Sequence, residues 1–270
     1  MRNSNPLVSI IMNCYNGEKF LDESLKSVIR QTYKNWELIF WDNQSQDNSK
    51  KIMKKFKNKR FRYFKSTKFQ SLYAARNSAI KKAKGKFISF LDTDDWWRKD
   101  KIKKQIVLYY KKNQKPDLIY SNCFLFNQKT KKKKLFVKNK LPEGKITQNL
   151  LDNYCVGLPT ILVKKDLFLN HTFNNKYNII GDFDFVIRLS REVEFACIQE
   201  PLANYRHHEK NYSQKNLKMY IQEINYWFKN NRSNLEKKGF SLKKQVFLLR
   251  KLQVKHYLHK IKNLKSVLGV

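Results

Sequence analysis

The 270 residues suffice for one sizeable core, and an apolar fraction of 41% with 14% aromatics excludes a fully disordered chain. Lys and Arg number 57 against 22 Asp and Glu, a formal charge of +35 that attracts any polyanion without naming one. Cys14, Cys123, Cys155 and Cys197 form no C-x-x-C pair, which argues against a zinc or disulfide framework and for free thiols in a reducing compartment. No apolar run is long enough to span a bilayer, so a cytoplasmic location is expected.

In chain order, "LVSIIM" (7–12) is a β-branched apolar run of the kind found in buried parallel strands. A helix is expected from residue 17, with Phe20, Leu21, Leu25, Val28 and Ile29 on one face. "WELIFWD" (36–42) is a second strand, and Ser45 or Asp47 caps the helix that carries Ile52, Met53 and Phe56. "RFRYFKS" (60–66) is a third strand, "SLYAARNSAIKKAKG" a helix closed by Gly85, and "KFISFLD" (86–92) a fourth strand. A further helix is expected at "KIKKQIVLYYKK" (101–112), with Asp94 and Asp95 read alternatively as the start of a helix from near Trp96. Two strands follow around the lysine turn "QKTKKKK", then a short helix at "ITQNLLDNY", a strand at "PTILVKKDLF" and a helix at "GDFDFVIRLS". From about residue 215 the chain is helical and very basic.

Strands alternating with helices imply a doubly wound α/β fold, with a mostly parallel sheet flanked by helices. Ligands in such folds sit beyond the carboxyl ends of the strands, where Tyr15, Asp42 and Asp92 fall on three different strands. In "FISFLDTDDWW" (87–97), Asp92, Asp94 and Asp95 crowd together after an apolar run. Clustered carboxylates repel unless a cation or fixed hydrogen bonds offset the charge, and hard oxygen ligands suit Mg²⁺ or Mn²⁺. Two residues apart in an extended stretch, Asp92 and Asp94 are expected to point the same way, with Asp95 turned away to cap the next helix. Trp97 stands where an EF-hand loop needs Gly. A metal-dependent phosphohydrolase also places D-x-D after a strand, and it stays as an alternative. The absence of G-x-x-x-x-G-K-[ST] and G-x-G-x-x-G removes support for ATPase and dinucleotide readings.

Three stretches together resemble the family 2 glycosyltransferases of the GT-A fold: "VSIIMNCYNGEKFLDESLKSVIRQTYKNWELIFWDNQSQDNS", "AARNSAIKKAKGKFISFLDTDDWW" and "GDFDFVIRLS", with "YRHHEKNYS" following. The resemblance runs over about residues 6–213. It implies that Tyr15 and Asp42 hold the nucleotide base, that Arg76 lies close to the nucleotide, that Asp92 takes the ribose, and that Asp94 binds a Mn²⁺ or Mg²⁺ bridging the diphosphate. It further implies that Asp182 is the base deprotonating the acceptor, with Asp184 as second candidate. Arg206 would meet phosphates and His208 would complete the metal shell. The implied reaction is transfer from a nucleotide-sugar, a UDP-sugar first, to a hydroxyl of a glycan or lipid-linked glycan acceptor, with inversion. Two departures stand out: Asn13 replaces the family's usual Pro, and Asp42-Asn43-Gln44-Ser45 replaces D-D-G-S.

The implied organisation is a glycosyltransferase domain over 1–213, divided at 120 into nucleotide-sugar and acceptor halves, and a basic helical extension over 214–270. Val254, Leu258, Ile261, Leu264 and Leu268 recur at helical spacing among lysines, a pattern suited to packing on a domain or lying on an anionic membrane. A peripheral position at the cytoplasmic membrane face is therefore the variant location. A nucleic-acid-binding protein is the rival that charge alone motivates; no aromatic RNA-binding signature or zinc finger accompanies it, so no specific nucleic acid is expected.

Overall fold

In the computed structural model, which describes residues 5–209 and 211–268, the first half of the chain builds the parallel part of a nine-stranded sheet. Strands β1 (Val8–Cys14), β2 (Trp36–Asp42), β3 (Phe61–Lys65) and β4 (Phe87–Phe90) pair in parallel in the order β3-β2-β1-β4. All seven residues of β2 are buried, as expected of a strand covered on both faces. Between them run α1 (Glu18–Ile29), α2 (Ser49–Lys55) and α3 (Leu72–Ile80). Helix α1 buries Leu21, Leu25 and Val28 together with Ser24 and Ser27.

The second half is mixed. After a two-residue strand β5 (Trp96–Trp97) come α4 (Lys101–Lys111), β6 (Leu118–Asn127), β7 (Lys133–Leu135), α5 (Thr147–Asp152), β8 (Leu162–Lys164), α6 (Gly181–Ser190) and β9 (Phe195–His207). The sheet continues as β4-β8-β6-β9-β5, with β7 paired to β6. Parallel pairing returns only between β6 and β9, whereas β5, β7 and β8 pair antiparallel. This is the GT-A arrangement expected from the sequence, with its parallel character concentrated at one side.

Three local expectations need correction. Helix α2 starts at Ser49, not after Ser45, although Asp47 Oδ1 does accept the Ser49 N–H at 2.9 Å. Helix α3 ends at Ile80, so Gly85 does not cap it; a Cβ at Gly85 would lie 2.7 Å from the Leu7 carbonyl and the Ser9 amide, and glycine serves close approach to β1. The helix expected at 101–112 is α4, but nothing helical begins near Trp96, where β5 pairs with β9. Tyr205 and Arg206, to which the sequence assigned no element, lie at the end of the 13-residue β9.

The chain divides into two compact units, one of residues 1–146 and 155–208, the other of 147–154 and 209–270. The sequence-based boundary lay at 213 and left helix 147–152 with the first part. In the second unit, α7 (Tyr212–Lys215), α8 (Leu217–Lys237) and α9 (Lys243–Leu268) join α5. Gln245 Nε2 donates to the Leu151 carbonyl at 2.7 Å, and Gln148 exchanges hydrogen bonds with the Ser241 backbone at 2.9 and 3.1 Å. Of the apolar stripe on α9, Val254 is exposed; the side chains of Leu258, Ile261, Leu264 and Leu268 lie outside the described residues. Among the described residues no helix is long and apolar enough to cross a membrane. Cys14, Cys123 and Cys155 are buried free thiols and Cys197 a half-buried one.

Candidate active site

The acidic loop is held from below by α1. Ser24 Oγ donates to the Thr93 carbonyl at 2.8 Å and also reaches the Asp95 carbonyl, so a serine set between Leu21 and Leu25 on the buried face anchors the D-x-D backbone. The loop is a turn, closed by the Asp95 N–H donating to the Asp92 carbonyl at 3.2 Å. Its carboxylates therefore diverge to separate partners instead of projecting side by side as in an extended stretch.

Asp92 accepts from Arg76 at 2.6 Å, and this guanidinium is only 4% exposed. Burial opposes the charge on Arg76, but Asp92 outweighs it and holds the group above its ordinary range. Asp94 Oδ2 lies 3.0 Å from His208 Nε2 just beyond β9. Asp95 caps no helix. It is buried, its Oδ1 accepts the Arg206 N–H at 2.8 Å, and Oδ2 has no hydrogen-bond partner among the described residues. Burial, then repulsion from Asp94 and Asp92, drives its pKa far above the carboxylate range.

Arg206 does not face a phosphate site. Its guanidinium lies 4.4 Å from the ring centres of both Phe20 and Trp96, and it donates to the Asp94 carbonyl at 2.7 Å, to Gln128 Oε1 at 2.6 Å and to Glu23. It is a buried clamp joining α1, the acidic loop and the β6–β7 hairpin. Asp184 is likewise committed: it is buried and paired with Arg188 one turn on, at 2.9 Å.

Asp182 sits half-buried in the first turn of α6, where carboxylates favour the helix dipole. Its Oδ1 accepts the Phe183 N–H at 2.9 Å and the Tyr73 hydroxyl at 3.1 Å. Burial raises its pKa; Arg76, the Phe183 N–H and Tyr73 pull it back, and Asp92 adds to the rise. Tyr205 on β9 is pushed up by burial and then by Asp95, Asp94, Asp92 and Asp182, which places its hydroxyl in the field of all four acids.

At the end of β2, Asp42 is buried, and its oxygens accept the Tyr63 hydroxyl at 2.5 Å and the Ser45 N–H at 2.8 Å. The next residue, Asn43, exchanges hydrogen bonds with the Gln70 backbone at 2.9 and 3.1 Å, which ties this strand end to the start of α3. Tyr15, 53% exposed, meets the exposed Phe69 edge-on at 4.8 Å. The structure thus brings Asp92, Asp94, Asp182, Arg76 and His208 into one network and sets Asp42 and Tyr15 at the neighbouring strand ends. Ser24, Tyr73 and Gln128 were not singled out by the sequence. A polar residue inside the apolar face of α1 was the available signal for Ser24.

The fold is of GT-A type, with the acidic network in the loop after β4 and at the start of α6. The profile described as "Glycosyl transferase family 2" matches residues 9–166, and the chain belongs to that family. It is 36% identical over 168 residues to the UDP-Glc:alpha-D-GlcNAc-diphosphoundecaprenol beta-1,3-glucosyltransferase WfgD of Escherichia coli, covering 62% of this chain and 64% of that protein. Among solved structures it resembles residues 1–349 of S. aureus TarS in complex with UDP-GlcNAc, with a TM-score of 0.63 at 16% identity over 80% of this chain and 65% of that fragment. It also resembles the mannosyltransferase PcManGT of Pyrobaculum calidifontis in complex with GDP-Man and Mn2+, with a TM-score of 0.62 at 13% identity over 85% of this chain and 65% of the other. The chain thus spans somewhat less than two thirds of the length of WfgD, of the TarS fragment and of PcManGT. Neither the phosphohydrolase nor the nucleic-acid reading finds support in these matches.

Proposed function

We propose that the protein transfers a sugar from a nucleotide-sugar, a UDP-sugar in the first instance, to a hydroxyl of a glycan or lipid-linked glycan acceptor, with inversion at the anomeric carbon. The observation that carries this is the convergence of Asp182, in the first turn of α6, with Asp92 and Asp94, which lie far earlier in sequence in the loop after β4. WfgD's named donor and diphosphoundecaprenol acceptor and the UDP-GlcNAc bound to TarS support the substrate classes. In this reading residues 1–120 serve the nucleotide-sugar and 121–213 the acceptor, while the basic helices of 214–270 meet an anionic cytoplasmic membrane face.

Tyr15 and Asp42 take the base; Asp42 uses lone pairs left over from Tyr63 and Ser45. Arg76 holds Asp92 toward the ribose. Asp94 and His208, a carboxylate and an imidazole 3.0 Å apart, would hold a Mn²⁺ or Mg²⁺, with the remaining donors supplied by the substrate. When bound, the cation stabilises charge on the departing diphosphate. Asp182 removes the acceptor proton as the acceptor oxygen attacks the anomeric carbon, while the bonding pair to the leaving oxygen departs with the nucleoside diphosphate.

The test is a panel of UDP-glucose, UDP-GlcNAc and GDP-mannose, followed by thermal stabilisation and nucleotide release with and without Mn²⁺. Metal-dependent stabilisation by a UDP-sugar is expected. Binding of none of them, with or without metal, would remove the proposal.

A further inference from the structure

Helix α3 supplies two side chains one turn apart to two different parts of the site. Arg76 reaches Asp92, and Tyr73, only 2% exposed, reaches the first turn of α6. The Tyr73 hydroxyl lies 3.1 Å from Asp182 Oδ1 and 3.0 Å from the Ile179 carbonyl, so its single proton is shared between two acceptors. The approach depends on residue 181 being glycine: a Cβ there would sit 2.5 Å from two carbons of the Tyr73 ring. The Arg76 guanidinium lies 5.1 Å from the centre of the same ring.

We infer that Tyr73 is a positioning residue for the proposed base: with the Phe183 N–H it pins Asp182 Oδ1, and so presents Oδ2 to the acceptor hydroxyl. The inference rests on the assignment of Asp182 as base. Two donors converge on Oδ1, whereas among the described residues no donor to Oδ2 is found. When Oδ2 takes the acceptor proton the carboxyl becomes neutral, and the Tyr73 O–H can then turn wholly to the Ile179 carbonyl. The same hydroxyl thus serves both protonation states without a backbone shift.

The other groups bearing on Asp182 are Arg76 from α3, Asp92 from the acidic loop and Tyr205 from β9, with Asp184 and Arg188 paired to each other on α6 itself. Tyr73→Phe changes none of these and keeps the ring in place. Losing one donor to the ionised carboxyl must raise the pKa of Asp182.

Tyr73→Phe and Asp182→Asn are compared with the native protein by ¹³C-carboxyl NMR between about pH 5 and 9 and by UDP release from UDP-glucose. In Tyr73→Phe the resonance absent from Asp182→Asn is expected to titrate at higher pH. The acid limb of kcat/KM should follow it, with kcat down about tenfold and the donor KM unchanged. Gly181→Ala retains the hydroxyl but displaces the ring, and must shift the same titration in the same direction. An unchanged titration in both variants, with Asp182→Asn inactive, overturns the role of Tyr73 and leaves the base in place. Native turnover by Asp182→Asn overturns the base assignment itself.

Discussion

Asp182 combines a catalytic assignment with a stability penalty, and the two can be separated. Burial raises its pKa above the value it has in an unfolded chain, so the native state binds this proton the more tightly. The favourable contribution is present below the unfolded pKa and is lost as pH rises through the folded one. At neutral pH the ionised carboxylate is then a net cost that an amide lacks. Asp182→Asn should therefore lower transfer by about 10²–10⁴-fold, keep UDP binding, and unfold at an equal or higher temperature than the native protein at pH near 7, approaching or falling below it in acid. Thermal melts against pH, paired with UDP titrations, read all three. Asp94→Ala should instead weaken Mn²⁺-dependent UDP binding by about tenfold or more while leaving metal-free binding little changed, as calorimetry with and without Mn²⁺ would show. Asp92, Asp94 and Asp182 were legible because each lies within a motif. Tyr73 and Ser24 were not, since their partners lie 109 and about 70 residues away and only tertiary structure joins them. Arg206 was legible as a residue but not in its role. A guanidinium near acids suits a phosphate contact or a buried clamp equally, and the rings of Phe20 and Trp96 decide for the clamp.

The least legible elements were β5 and β9. Two residues carry no period, so Trp96 and Trp97 read as the start of the following helix. Strand β9 contains Gln199, Glu200 and Pro201 in its middle, and its register against β6 shifts at Ser121 and Asn122, which breaks the alternation a strand should show. The early parallel strands lacked such interruptions and were located to within a residue or two. The same crossing of elements explains why Arg206 matters beyond its own side chain. Arg206→Lys loses the planar fork that serves Glu23, Gln128 and the Asp94 carbonyl, and should destabilise the fold by about 3 kcal/mol in urea titrations. Helix α4 carries a different strain. Lys101 is wholly buried, donating to Ser89 and Gln105 at 2.9 Å with no carboxylate partner among the described residues, and burial lowers its pKa far below the usual lysine range. The native state thus disfavours the ammonium, and its stability should gain as pH rises from the folded pKa toward the unfolded value of about 10.4. Lys101→Met removes this term. The urea midpoint of the native protein should rise relative to that of Lys101→Met across that alkaline window, and parallel curves would refute the reading.

At the scale of the whole chain, the charge of +35 sets how the protein meets anionic surfaces. Nucleic acid, acidic lipid and phosphate-rich substrate would all retain it at low salt, so retention alone distinguishes nothing. Discrimination needs an apolar component. On α9, Phe247 is 68% exposed, Val254 58% and Tyr257 65%, with Lys243, Lys244, Arg250 and Lys251 on the same helix. Residues 247 and 254 are two turns apart and share a face. A helix of this kind meets lipid in two ways: each basic group near an acidic surface contributes about 1 kcal/mol, which salt screens over a Debye length of about 10 Å at 0.1 M, and inserted apolar side chains add a part that salt does not screen. Flotation with phosphatidylglycerol vesicles should therefore fall, but not to zero, as salt increases. Phe247→Ser with Val254→Ser should abolish the salt-resistant fraction while leaving low-salt binding and UDP affinity nearly unchanged. Loss of all flotation at moderate salt in the native protein would make the association a property of net charge alone, and α9 would then have no role at the membrane.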